Sequence, residues 1–76
     1  MKHRTLTIRD LEERSIDAIL DSIQDYFSSG LALLRTARDN AIYIISEYEE
    51  GYIDLTEEQL KFLNKIIEEV NKYDAE

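Results

Sequence analysis

The sequence predicts a mainly α-helical fold that opens with one short β-strand and is completed by the pairing of two chains. Residues 4–9 alternate polar and apolar side chains with a period of two, which is typical of a strand. From there to the end of the chain, apolar residues recur every three or four positions, as in amphipathic helices. The chain has only 76 residues and no cysteine, so a second copy would help to complete its core.

The strand would have no partner within its own chain. Its backbone N–H and C=O groups need hydrogen bonds, and a single short strand is not stable alone, so we expect it to pair with the same strand of a second copy. In such a two-stranded ribbon Leu6 and Ile8 would face the core, whereas Thr5, Thr7 and Arg9 would face outward. Outward hydroxyl and guanidinium groups can read base edges in the major groove, although the ribbon could also serve only to hold the dimer together.

The first helix is predicted to begin with Asp10 as its N-cap and to end near Phe27. Its aspartates, including Asp17, Asp21 and Asp25, are assigned to the solvent face. Its apolar stripe consists of Ile16, Ile19, Leu20, Ile23, Tyr26 and Phe27. The segment 28–30, Ser-Ser-Gly, then predicts a tight connection in which glycine adopts a positive φ and the serines cap the next helix.

The second helix is predicted over Leu31 to Tyr48, and its apolar surface is unusually broad. Because two helices of one chain could not cover this surface, we expect second helices from two chains to interlock. The predicted dimer core comprises Leu6, Ile8, Leu34, Ala37, Ala41 and Ile45.

A third helix is predicted from about Leu55 to Tyr73, with Asp54 or Thr56 as its cap. The chain would then consist of a dimerising unit over residues 1–50 and a carboxy-terminal helix over residues 51–76. This helix could extend the core, join dimers into tetramers or bind a partner protein.

The charge of the chain is strongly asymmetric. Its formal net charge is −8, which disfavours binding to phosphate backbones. Residues 1–9 nevertheless contain Lys2, Arg4 and Arg9 and no acid, so the predicted ribbon is the one positive segment. A dimer would double this positive patch while its acidic helices point elsewhere.

Composition disfavours several classes of function. With one histidine, no cysteine and no glycine-rich loop, the chain offers no recognisable active site, metal site or cofactor site. No apolar run is long enough to span a bilayer, and the basic first residues lead into a strand pattern instead of a signal-peptide core. We therefore expect a soluble cytoplasmic protein that is not an enzyme.

The order strand, helix, Ser/Gly turn, helix over residues 3–48 resembles the ribbon-helix-helix family, to which the Arc-type repressors belong. The resemblance implies a dimer whose ribbon enters the major groove of DNA, with Thr5, Thr7 and Arg9 as base readers. It also implies phosphate contacts from Ser28, Ser29 and Gly30, and Lys2, His3 and Arg4 could touch phosphate as well. Three features depart from the family: the glycine follows the serines, a third helix is added, and the chain is acidic overall.

The function expected from the sequence is therefore that of a dimeric transcriptional repressor bound to operator DNA. The alternative is an acidic helical interaction module that does not bind DNA. Such a module could be a DNA-mimic inhibitor of a nucleic-acid-binding protein, or an antitoxin-like protein that grips its partner through Leu55–Tyr73. Net charge favours this alternative, and the basic first segment disfavours it.

Overall fold

Four α-helices make up the part of the chain that the computed structural model describes, which is residues 6–75 without the side chains at positions 31–32 and 74–75. They are α1 (Ile8–Glu13), α2 (Ile16–Ser28), α3 (Leu31–Glu49) and α4 (Glu57–Ala75). Residues 6–75 contain no strand. The prediction of a mainly helical chain is thus confirmed, but the ribbon is wrong.

The segment predicted as a strand enters a helix instead. Leu6 and Thr7 precede α1, which begins at Ile8, and residues 4 and 5 lie outside the described part of the chain. Leu6 is buried at 7 % exposure, but Ile8 is 51 % exposed. The two side chains therefore do not share the inward face that a strand would give them.

Side chains satisfy the backbone donors that a strand would have paired. The N–H of Leu6 donates to Oδ1 of Asn40 at 2.8 Å, and the N–H of Thr7 donates to Oδ2 of Asp10 at 2.9 Å. The Thr7 hydroxyl also donates to this carboxylate oxygen, at 3.1 Å. Thr7 is consequently the N-cap of α1, with Asp10 at the third helical position, and the predicted cap at Asp10 is three residues too late.

The predicted first helix is in fact two helices. Arg14 and Ser15 both have extended backbone conformations, which end α1 and separate it from α2. The Ser15 hydroxyl accepts a hydrogen bond from the N–H of Ala18 at 3.2 Å and so starts α2 as its N-cap. A serine in the middle of an apolar pattern therefore starts a new helix here.

The connection between α2 and α3 has the predicted glycine conformation but different serine contacts. Gly30 has φ +124° and stands immediately before α3, where the backbone conformation favours glycine. The Ser29 hydroxyl donates to the Asp25 carbonyl at 2.5 Å, and the Ser28 hydroxyl accepts from Gln24 at 2.9 Å. The serines therefore stabilise the end of α2, and the expectation that they cap α3 is wrong.

Helix α3 packs against both α2 and α4, while α2 and α4 make few contacts with each other. This arrangement buries most of the described apolar surface of α3 within one chain, although Ile42 remains 48 % exposed. The buried part of that surface does not require a second copy. Ile45 is half-buried against the core. The buried apolar residues are Leu6, Ile19, Ile23, Tyr26, Leu34, Ala37, Ala41, Ile44, Leu63, Ile66 and Val70. Among the described helices none has the length and apolar character needed to cross a bilayer.

Candidate functional site

An open groove of about 480 Å³ lies between α2 and the start of α4. Its α2 wall is formed by Asp17, Leu20, Asp21 and Gln24, which are spaced i, i+3, i+4 and i+7 and so share one face of the helix. Its other wall is formed by Thr56, Glu58, Gln59 and Phe62. The groove therefore runs along about two turns of each helix.

A capping box fixes the α4 wall. The N–H of Gln59 donates to the Thr56 hydroxyl at 3.1 Å, and the N–H of Thr56 donates to Oε1 of Gln59 at 2.9 Å. This geometry confirms Thr56, one of the two predicted caps, as the start of the helix. It also holds the Gln59 side chain at the edge of the groove.

Gln59 also connects the two walls. Its Nε2 donates to Oδ1 of Asp17 at 3.3 Å, across 42 positions of sequence. One amide thus closes the cap of α4 with its oxygen and reaches α2 with its nitrogen. The contact fixes the spacing of the walls at this end of the groove.

The floor of the groove is apolar. Leu20 and Phe62 are half-buried and pack against the core with one side, leaving part of each side chain accessible in the groove. A ligand with apolar side chains could bury this remaining surface, which would favour binding by the hydrophobic effect.

The rim of the groove is acidic, and its described lining residues carry no positive charge that would balance the carboxylates. Asp17, Asp21 and Glu58 carry its charges, and the described residues that line it include no lysine or arginine. Within residues 6–75, none of these three carboxylates forms an ion pair. The nearby Arg14 donates instead to the Ala18 carbonyl at 3.1 Å and to the Ser22 hydroxyl at 2.5 Å.

Two of these three carboxylates stabilise the helix that carries them, but the third does not. Asp17 and Glu58 stand in the first turns of α2 and α4, where a negative charge stabilises the helix dipole. Asp21 stands in the middle of α2, four residues from both Asp17 and Asp25. Like charges at this spacing destabilise a helix, so α2 retains Asp21 at a small cost in stability.

Catalysis and metal binding find little support in this geometry. The groove side chains are carboxylates, amides, a hydroxyl and two apolar groups, with no base–nucleophile pair. In residues 6–75 there is no group of three His, Cys, Asp or Glu side chains placed to hold one metal ion. The groove is suited to non-covalent binding of a cationic, partly apolar ligand.

The described residues that were predicted to contact DNA have several different local roles. Thr7 caps α1, and Arg9, which is exposed, forms an ion pair with Glu13 at 3.0 Å. Ser28 and Gly30 line a separate pocket of about 220 Å³ whose other described lining residues are Phe27, Leu34 and Tyr73. Lys2, His3, Arg4 and Thr5 lie outside the described residues.

The sequence pattern predicted other roles for the groove residues. It placed Asp17 and Asp21 on an ordinary solvent face and Leu20 in the core. The available signal was the Asp17–Asp21–Asp25 series, three acids at i+4 spacing with no basic residue between them in that register. The position of α4 opposite this face could not be read from the series.

Comparison of the chain with protein-family models, with curated proteins and with solved structures finds no significant match. The groove is therefore the feature of the chain from which a function can be inferred.

Proposed function

We propose that this protein is a non-enzymatic interaction module that binds a basic segment of a partner protein in the groove between α2 and α4. The observation that carries the proposal is the combination of an apolar floor, Leu20 and Phe62, with a rim of carboxylates that form no ion pair within residues 6–75. Lysine and arginine side chains would supply the missing counter-charges, and apolar side chains between them would cover the floor.

The position of Asp21 adds to this support. A carboxylate that weakens its own helix, and that has no ion-pair partner in residues 6–75, becomes favourable once a cation is bound beside it. The net charge of −8 would also speed the encounter with a basic partner at low salt.

Binding to operator DNA is the function expected first from the sequence, and the described residues lend it no further support. Residues 6–9 form no strand, since α1 begins at Ile8, and the groove carboxylates would repel phosphate. A short DNA duplex should therefore leave the amide chemical shifts of the isotope-labelled chain unchanged. Salt-sensitive retention of the chain on a DNA column would favour the repressor instead.

The direct test titrates the labelled full chain with a synthetic peptide of leucine and lysine, about 15 residues long. We expect chemical-shift changes concentrated at residues 17–24 and 56–62, and weaker binding as salt is added. A peptide with glutamate in place of lysine should not bind. Shift changes spread over other surfaces, or equal binding of both peptides, would contradict the proposal.

Charge reversal at one position supplies a matched pair of variants. Asp21→Lys should abolish measurable binding of the lysine peptide, because it places a cation on the rim of the groove. Asp25→Lys changes the net charge equally on the same helix but outside the groove lining, and it should retain binding. Both variants should fold, since each new lysine gains an acid at i±4 spacing on α2.

A further inference from the structure

We infer that the basic partner segment binds this groove as an amphipathic α-helix, lying along α2 and α4. This inference rests on the proposed function and adds the conformation of the ligand. It follows from the shape of the groove, from the secondary structure around it and from the order of its charged and apolar residues.

The backbone around the groove favours a helical ligand over an extended one. An extended peptide gains affinity mainly by adding a strand to a sheet edge, and residues 6–75 contain no strand. The backbone polar groups of α2 and α4 are largely engaged within their own helices, so few remain to pair with a peptide. A helical ligand satisfies its own backbone and needs only side-chain contacts.

A polyproline ligand also fits poorly. Such ligands bind between stacked aromatic side chains, whereas the lining of this groove has one aromatic residue, Phe62, and the chain has no tryptophan. Recognition of phosphorylated segments requires clusters of arginine, and the charges of the lining are carboxylates.

The dimensions of the groove match one face of a helix. Asp17 to Gln24 covers seven steps of α2, or about 10 Å, which is the length between positions i and i+7 of a helical ligand. Apolar residues of the ligand at i, i+3, i+4 and i+7 would meet Leu20 and Phe62. Basic residues on both sides of that stripe would reach Asp17 and Asp21 on one wall and Glu58 on the other.

A second copy of this chain is a less suitable occupant. Each copy carries a net charge of −8, so two copies repel each other at low salt. The one segment with a local positive charge, residues 1–9, includes only three cations, of which Arg9 pairs with Glu13. Charge complementarity therefore selects a separate, basic partner.

The test compares two synthetic peptides of identical leucine and lysine composition, each about 15 residues long. One places leucine at i, i+3, i+4 and i+7, which gives one apolar face in a helix, and the other alternates leucine and lysine, which gives one apolar face in a strand. We expect the helical-period peptide to bind at least about tenfold more tightly, because only it can present all its leucines to the floor as a helix. Its circular dichroism should gain helical signal on mixing with the full chain.

The outcomes separate the two proposals. Equal binding of both peptides in the groove, or binding without a gain in helix, would overturn the helical inference and leave the interaction module standing. Failure of both peptides to bind would overturn both proposals. Concentration-dependent self-association of the free chain in sedimentation, lost in Asp21→Lys but kept in Asp25→Lys, would identify a second copy as the occupant and would overturn the inference.

Discussion

The Oδ1 atom of Asn40 accepts a hydrogen bond from the backbone N–H of Leu6 at 2.8 Å, and it joins the start of the described chain to the middle of α3. Asn40 is only 1 % exposed, and it lies among apolar residues on the packed side of α3. A buried amide of this kind is tolerated when it is hydrogen-bonded, and here it directs the first segment onto the core instead of into a sheet.

Replacement of Asn40 should therefore destabilise the fold. Asn40→Ala leaves the Leu6 N–H without its acceptor and opens space in the core, so the free energy of unfolding should fall by about 1–3 kcal/mol. Urea denaturation measures the loss, and hydrogen exchange at Leu6 should become faster. Asn64→Ala, at an exposed position of α4, is the control and should change stability by less than about 0.5 kcal/mol. Equal effects of the two variants would show that the Asn40 contact is unimportant.

Leu6 and Ile8 should respond differently to truncation. Leu6→Ala removes a buried side chain and should lower the free energy of unfolding by about 2–3 kcal/mol. Ile8→Ala, at a position 51 % exposed at the start of α1, should change it by less than about 0.5 kcal/mol. Thermal denaturation of both variants distinguishes the observed start of α1 from the predicted strand. A strand with both side chains inward would make both truncations costly.

Neutralising Asp21 should stabilise the protein while weakening its proposed activity. Asp21→Asn removes repulsion from Asp17 and Asp25, worth about 0.2–0.5 kcal/mol for each pair, and this gain should shrink in 1 M salt. The same change should weaken binding of the basic peptide about two- to fivefold. Asp39→Asn is the contrasting variant. Oδ1 of Asp39 lies 3.7 Å from Nε of Arg38, so removal of this negative charge should give no stabilisation. A loss of stability in Asp21→Asn would contradict the electrostatic account of α2.

Stability should fall at alkaline pH partly through Tyr43. Burial raises the pKa of its hydroxyl above the ordinary tyrosine value, and the nearby carboxylates of Glu47 and Asp10 raise the pKa further. The folded state therefore holds this proton more tightly than the unfolded state. The resulting stability is fully present below about pH 10 and is lost as the pH rises toward the folded pKa.

Tyr43→Phe removes the titrating hydroxyl and so tests this contribution. Denaturation curves recorded below and above pH 10 should show a smaller alkaline loss in the variant than in the parent chain. Tyr52→Phe, at a position 71 % exposed, serves as the control and should follow the parent. An alkaline loss in Tyr43→Phe as large as in the parent would exclude a role for this hydroxyl.

The sequence by itself determined the features that depend on neighbouring residues. The 3.6-residue period predicted a helix over Leu31–Tyr48, and α3 spans Leu31–Glu49. Thr56, one of the two predicted caps, starts α4. Helical period and capping depend on residues within one or two turns of each other, so both can be recognised in the sequence. The capping box of Thr7 and Asp10 is equally local, but the same residues also fit the short alternation over 4–9, which predicts a strand.

Tertiary structure alone decided the features that join distant parts of the chain. The acceptor for Leu6 lies 34 positions away at Asn40. The two walls of the groove likewise bring together Asp17 and Gln59, which are 42 positions apart. A periodic pattern shows that a face is apolar or acidic, but not which other face lies opposite it. The broad surface of α3 therefore predicted a second chain, whereas α2 and α4 of the same chain pack against it and bury most of it, leaving Ile42 exposed.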